Sequence, residues 1–304
     1  MRKILVTGAL GFIGSCFVTQ EVAKGNFVVG FDNKSYSGRI KNISSIGGNE
    51  NFCFVEGDIR DTRLFGNILQ SNNIDSVVHF AAESHVDRSI GDPANFITTN
   101  INGTYSLISQ ALRYWNEKNR FKDFKFLHIS TDEVFGELPI DSKQQFQEQT
   151  PYSPRSPYSA SKAASDHLVK AWFHTYNFPA IVTNCSNNYG PRQHSEKLIP
   201  RMIGCALAGQ PMPVYGKGLN VRDWIHVEDH CRALSLVLEK GVVGESYGIG
   251  GDCEKRNLDV VYEICAELDK LEPRPDKRSY KEQIAFVSDR LGHDLRYSID
   301  GNKI

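Results

Sequence analysis

Lys3-Ile4-Leu5-Val6-Thr7-Gly8-Ala9-Leu10-Gly11-Phe12-Ile13-Gly14 decides how the rest of the chain is read. Lys3–Val6 is a short apolar run with strand character, and an amphipathic stretch from Phe12 to Lys24 has helical character. Three glycines lie between them at intervals of three, G-x-x-G-x-x-G. A turn of this kind serves three needs: a tight reversal, close approach of main chain to a pyrophosphate, and close packing of helix on strand. The helix start then offers unpaired N–H groups and the positive end of its dipole to phosphates. Gly8, Gly11, Phe12, Ile13 and Gly14 are therefore candidate cofactor-binding residues. The second apolar run ends in Asp32, at the spacing expected of an acid that accepts hydrogen bonds from a ribose 2′-hydroxyl and repels a 2′-phosphate. That favours NAD over NADP, with Lys34 and Arg39 as nearby cations. Asp58-Ile59, after the third run, sits where an adenine contact is expected.

The same alternation continues outward. Strands are predicted at Phe27–Phe31, Phe52–Val55, Ser76–Phe80, Phe124–Ile129 and Ala180–Asn184. Helices are predicted at Arg63–Ser71, Pro93–Asn119 and Pro157–Tyr176. The strands are continuously apolar rather than alternating, as required where helices cover both faces of a sheet. The expected fold is α/β, a doubly wound parallel (Rossmann) sheet with right-handed crossovers and a smaller C-terminal substrate-binding lobe. Residues 1–185 are expected to form the NAD-binding unit and 186–304 mainly the lobe, with no Ser/Gly linker between them. Gly, Pro and Asn cluster from Ser186 to Asp229, which predicts loops, and helices are expected at His226–Lys240 and Leu258–Lys270.

Composition narrows the function classes. Lys and Arg (35) nearly cancel Asp and Glu (36), so no overall field favours nucleic acid or an anionic membrane. No apolar run reaches the length of a membrane span, and Gly8 interrupts the apolar N-terminal run, which reads as a first strand rather than an export signal. The seven cysteines are dispersed without a C-x-x-C pair, which predicts reduced thiols and a cytoplasmic protein. His79, His128 and His226 form no metal-ligand spacing, and no metal is expected.

Two motifs carry the chemistry. Tyr158-x-x-x-Lys162 places a phenol and an ammonium one helical turn apart on one face. A phenol titrates near 10 in water, so a neighbouring ammonium and a nicotinamide cation are expected to bring it down to serve as a base. The second motif, Thr131-Asp132-Glu133, closes the apolar run Phe124–Ser130. Neighbouring carboxyls tend to split, one protonated and one ionised, which suits one acid and one base. Beside a redox centre, such a pair can remove water from a substrate.

The chain resembles the extended short-chain dehydrogenase/reductases, and among them the nucleotide-sugar 4,6-dehydratases of the dTDP-glucose type. The resemblance rests on Ala81-Ala82-Glu83-Ser84-His85-Val86-Asp87, Ser130-Thr131-Asp132-Glu133-Val134, Pro157-Tyr158-Ser159-Ala160-Ser161-Lys162 and Asn184-Cys185-Ser186-Asn187-Asn188-Tyr189-Gly190-Pro191. It continues through Glu196-Lys197-Leu198-Ile199-Pro200, Asn220–Asp229 and Asp289–Asp294, and so covers almost the whole chain. The resemblance implies that Tyr158 takes the proton of the sugar 4-hydroxyl while NAD takes a hydride from C4, with Thr131 and Lys162 assisting. Glu133 then removes the C5 proton, Asp132 protonates the departing 6-hydroxyl, and the hydride returns to C6 and a proton to C5. It further implies cofactor contacts from Asn33, Lys34, Ser35, Phe80, Ala81, Ala82, Glu83, Ser84, Thr99 and Asn188. For the sugar nucleotide it implies contacts from Ser84, Thr131, Asn187, Lys197, Leu198, Ile199 and Pro200. Pro213, Val214 and Tyr215 would line the base, Arg222 and Arg290 would meet the pyrophosphate, and Asn257 and His293 complete the set. A homodimer built on the helices Pro93–Asn119 and Pro157–Tyr176 is implied as well. The nucleotide is left open between dTDP-glucose and UDP-glucose, and a 4-epimerase on the same scaffold is the neighbouring alternative.

The chain departs from the family pattern at several points. Phe135 stands where the family has tyrosine, removing one hydroxyl expected near the site, and Leu291 replaces a proline in the loop of Arg290 and His293. Arg192 and Ser195 replace aromatic and proline residues, and the chain stops at Gly301-Asn302-Lys303-Ile304, where the family continues through further helices.

Overall fold

A computed structural model describes residues 1–304. Twelve strands are present: β1 (Lys3–Thr7), β2 (Phe27–Asp32), β3 (Phe52–Glu56), β4 (Ser76–His79), β5 (Lys125–Thr131), β6 (Ala180–Cys185), β7 (Asn187–Tyr189), β8 (Met212–Tyr215), β9 (Val221–His226), β10 (Ser246–Ile249), β11 (Glu254–Arg256) and β12 (Ile284–Val287). The helices are α1 (Phe12–Ala23), α2 (Thr62–Asn72), the short α3 (Val86–Gly91) and α4 (Ala94–Phe96), α5 (Thr104–Glu117), α6 (Pro157–Tyr176), α7 (Leu198–Leu207), α8 (Val227–Lys240) and α9 (Asn257–Leu271).

Seven strands form one sheet in the order β10-β6-β5-β4-β1-β2-β3, and every neighbouring pair is parallel. On one face α1 and α8 bury Phe17, Val18, Leu234 and Val237 against Val6 and Val28. On the other, α2, α5 and α6 bury Phe65, Leu107, Ile108 and Val169 against Leu5 and Val77. Burial on both faces explains the continuous apolar strands. The winding direction changes between β1 and β4, and a crevice opens there beyond the strand C-termini, where open α/β sheets bind ligands.

The last sheet strand, β10, comes from beyond residue 185, so the chain leaves the sheet and returns to it. The stretch from Ser186 to Asp229, expected as loops, contains β7, α7, β8 and β9. β7 and β9 join β11 in a three-stranded sheet, and β8 pairs with β12. These strands are short and carry charge inside them, as in Val221-Arg-Asp-Trp-Ile-His226, so periodicity alone could not find them. The single helix expected at Pro93–Asn119 is three pieces: α4, a π-helical segment at Ile97–Gly103, and α5. Wide turns of this kind recur at functional sites. Here the π segment carries Asn100, whose Oδ1 accepts from Glu83 N (2.8 Å) while its Nδ2 donates to Glu83 O (3.0 Å) and Ser161 Oγ (2.9 Å). Asn100 thus fixes the Glu83–Ser84 loop to α6.

Candidate active site

The glycine turn after β1 adopts the expected shape. Gly8 has φ +69°, and a Cβ there would lie 2.7 Å from Ala81 N. A Cβ on Gly14 would overlap Gly8 O, so α1 can approach β1 this closely only without a side chain. No side chain caps the start of α1, and its first amides remain available at the crevice. Asp32 closes the opposite side, its Oδ2 accepting from Leu10 N (3.0 Å) and its Oδ1 from Lys34 N (2.8 Å). Burial raises its pKa, opposed by those two backbone donors. Uncapped amides, a glycine cradle and a ribose-distance acid together fit a dinucleotide such as NAD.

One crevice is lined by Gly8, Gly11, Phe12, Ile13, Gly14, Asp32, Asn33, Ser35, Asp58, Ile59, Phe80, Ala81, Ala82, Glu83, Ser84, Thr99 and Asn188. It is also lined by Thr131, Asp132, Glu133, Tyr158 and Lys162, and by Asn187 and Lys197. Lys34 differs from expectation. Its side chain pairs with Glu56 and lies 5.7 Å from the Phe54 ring, so only its amide serves the site, through Asp32.

Local structure explains the reacting side chains. Ser156 caps α6 reciprocally with Ser159, and Pro157 takes the first turn, where its missing N–H costs nothing. Tyr158 is thereby set in the first turn and Lys162 in the next. The Lys162 ammonium donates to Ile129 O at 2.8 Å. Thr131, ending β5, accepts from Glu133 N (3.3 Å), and its hydroxyl donates to Asp132 Oδ1 (3.2 Å). Asn184 holds Thr131 in place, its Nδ2 donating to Thr131 O at 3.0 Å.

The electrostatics differ from one expectation. The Tyr158 phenol is pushed up, first by burial and then by the Glu133 carboxylate, with Thr131 pulling it down. Lys162 does not reverse this, because its ammonium is committed to Ile129 O and is itself destabilised by burial. The two acids separate in degree. Asp132 is raised well above the usual range by burial and then by Glu133, and its Oδ2 is buried without a partner. Burial also raises Glu133, but the cations Arg290, Arg222 and Lys197 pull it back.

The substrate side is assembled from the lobe. Lys197 Nζ donates to Ser84 O (2.9 Å), and Tyr215 Oη donates to Asp87 Oδ2 (3.0 Å). Leu198, Ile199 and Pro200 form the first turn of α7, and Pro213, Val214 and Tyr215 lie on β8, paired with β12. Arg290 Nη1 is 3.6 Å from Asp87 Oδ1, while its buried Nε has no partner. Asn257 Oδ1, at the start of α9, is likewise buried and unpartnered. His293 is held by Asp289 (2.7 Å), and burial lowers its pKa to about 4. Arg222 is held mainly by the chain itself. It is 4% exposed, and Nη1 and Nη2 donate to the carbonyls of Val221 (2.8 Å) and Asp294 (2.9 Å) over the Tyr297 ring. Its charge also helps to pull the Glu133 pKa down.

Two of the sequence departures lie away from the chemistry. Phe135 stacks on Phe146 (5.0 Å) within an apolar cluster with Tyr152, so its missing hydroxyl leaves no gap in the crevice. Leu291 is 76% exposed, and the bend beside it is made by Gly292 at φ +63°.

Sequence reading overlooked Gly38, Cys185, His194 and Glu196, all at the crevice. A Cβ at Gly38 would lie 2.8 Å from Asp32 Oδ1, and its place in the turn after β2 was the available signal. The Cys185 thiol is pushed to about 12 by burial, which keeps it protonated and inert.

His230, on α8, holds Asn188 through an Nδ1···Oδ1 contact of 2.8 Å, and burial lowers its pKa to about 3. Below pH 6.5 the unfolded chain binds a proton there that the folded chain refuses, so stability falls with pH by about 1.4 kcal/mol per unit. His230→Gln is expected to reduce the slope of unfolding free energy against pH, between pH 6 and 4, by that amount. Denaturant melts across this range would read it, and an unchanged slope would contradict the assignment.

Comparison with known proteins follows the same outline. A family model described as GDP-mannose 4,6 dehydratase matches residues 5–304. The chain is 53% identical over 306 residues to a dTDP-glucose 4,6-dehydratase of Xanthomonas campestris pv. campestris (strain B100), covering 100% of this chain and 87% of that protein. It resembles the crystal structure of a dTDP-glucose 4,6-dehydratase from Bacillus anthracis str. Ames in complex with NAD, with a TM-score of 0.86 and 43% identity, over 100% of this chain and 89% of that one. A double mutant of the Streptomyces venezuelae dTDP-glucose 4,6-dehydratase with NAD bound gives a TM-score of 0.89 at 42% identity over the same shares.

Proposed function

This chain belongs to the GDP-mannose 4,6 dehydratase family, and from its likeness to dTDP-glucose 4,6-dehydratases we infer that it converts dTDP-glucose to dTDP-4-keto-6-deoxyglucose and water. The carrying observation is the pair of adjacent carboxyls, Asp132 and Glu133, at one crevice with Tyr158 and Lys162. NAD, when bound, serves as the reversible hydride acceptor between C4 and C6 of the sugar. Tyr158 Oη takes the proton of the 4-hydroxyl, with the Thr131 hydroxyl hydrogen-bonded to the same oxygen. A positive nicotinamide, when bound, would offset the burial that holds the phenol up, while the Lys162 ammonium stays on Ile129 O. The ketone formed at C4 acidifies the C5 proton, which Glu133 removes; its three cationic neighbours keep it available as a base. Asp132, whose pKa burial raises well above the usual range, gives its proton to the departing 6-hydroxyl, and C5 regains a proton as C6 receives the hydride. Epimerisation at C4 needs no such pair, so these acids favour dehydration.

The cofactor side is assigned to residues 1–185 and the sugar nucleotide mainly to the lobe beyond. The unpartnered Nε of Arg290 and Oδ1 of Asn257 supply free polar groups for the nucleotide. A homodimer is supported by Ile97, Tyr105 and Tyr176, large apolar residues exposed on the π segment, α5 and α6. No helix is long and apolar enough to cross a membrane, and all seven cysteines are unpaired, which supports a reducing, cytoplasmic setting.

Incubation of the purified protein separately with dTDP-glucose and UDP-glucose, read by product mass, tests the function. Loss of one water without net cofactor reduction is expected, faster with the thymidine nucleotide. Unchanged mass with a galactose-configured product would instead identify an epimerase.

A further inference from the structure

The loop after β2 and the loop after β7 line opposite parts of the crevice, through Asn33, Ser35 and Gly38 on one side and His194 and Glu196 on the other. They meet at a single carboxylate. Tyr36 Oη donates to Glu196 Oε1 at 3.0 Å, and His194 Nδ1 lies 3.6 Å from the same oxygen. Oε2 lies 3.6 Å from both His85 Nε2 and Arg88 Nε. The Arg88 guanidinium is stacked on the Tyr36 ring at 3.7 Å, and His194 meets that ring edge-on. Residues from the loop after β2, from the start of α3 and from the loop after β7 therefore converge on Glu196, whose side chain is 16% exposed.

The junction sits at the outer lip of the crevice, since Tyr36 is 36% exposed while Glu196 lines the interior. A second depression, lined by Tyr36, Arg88 and Phe96, lies beyond it, and Glu83 borders both. Burial lowers the pKa of both His85 and His194, leaving Arg88 as the charged partner of Glu196. A charge-assisted contact and a guanidinium–aromatic stack thus share one tyrosine.

We propose that the Tyr36–Glu196–Arg88 junction is a strap that retains the dinucleotide through turnover. This rests on the cofactor reading above, in which the reaction consumes no net oxidant. A cofactor that escaped between the two halves of such a cycle would leave the sugar stranded as a ketone, so slow release serves the reaction directly. Tyr36 touches neither reacting acid nor base; it is a positioning residue that acts by closing one wall on the other.

The test measures release rather than catalysis. The purified protein is loaded with fluorescent 1,N6-etheno-NAD and chased with excess NAD, and the rate of probe loss is recorded. Tyr36→Ala removes both hydroxyl and ring, and roughly tenfold faster release is expected, with a smaller acceleration for Tyr36→Phe, which keeps the stack. Tyr36 is partly exposed, and thermal melts confirm that both variants are folded. Release unchanged or slowed in Tyr36→Ala overturns the strap, as does a wild-type protein that holds no probe. Failure of the dehydratase reading would look different: probe held and released as expected, but no water lost from dTDP-glucose.

Discussion

Glu133→Gln is expected to lower the rate of water loss from dTDP-glucose by about two to four orders of magnitude, the usual contribution of a positioned general base. Glutamine preserves the shape and the hydrogen bond from the Glu133 amide to Thr131, which belongs to the main chain. It removes only the group that accepts the C5 proton. The first half of the reaction does not need that group, so the absorbance of the reduced nicotinamide should still form when sugar is added, and then persist. Exchange of the C5 proton with solvent deuterium should be lost in parallel. If dehydration continued at the wild-type rate, the base would have to be another residue, and the cations Arg290, Arg222 and Lys197 around Glu133 would need a different explanation.

Tyr158→Phe should stop the reaction one step earlier. The loss is again expected at about two to four orders of magnitude, but now without reduced nicotinamide appearing. Tyr158 is 8% exposed and packs edge-on against Phe96 at 6.3 Å, so phenylalanine retains the packing. Burial and Glu133 push the phenol upward, so its ionised fraction grows with pH. The wild-type rate of cofactor reduction should therefore rise with pH until the phenol is ionised, and the residual rate of the phenylalanine variant should lack that rise. A variant that reduced NAD normally would remove Tyr158 from the mechanism. The two substitutions thus separate the halves of one reaction: one blocks before the ketone, the other after it.

Much of this was legible in the chain itself because it is local. The strand–glycine–helix opening, Asp32 at the end of β2, and the capped start of α6 with its Tyr/Lys spacing each need only a short window of sequence. Uninterrupted apolar runs reveal a sheet buried on both faces without reference to partners. The strands inside Ser186–Asp229 were hidden because their burial depends on which segments they meet. The π segment was hidden for a related reason: Asn100 reaches Glu83 and Ser161, neither of them close in sequence.

Charge states and shared contacts belonged to the tertiary structure alone. Sequence placed Asp132 beside Glu133, and the family resemblance made Asp132 the acid and Glu133 the base. Their charge states depend on how deeply each is buried and on Arg222, Arg290 and Lys197, brought in from the lobe. The same holds for Arg222, whose guanidinium is held by the carbonyls of Val221 and Asp294. Residue type and spacing determine what a side chain is able to do. Desolvation and long-range neighbours, which exist only after folding, decide which of those abilities it keeps.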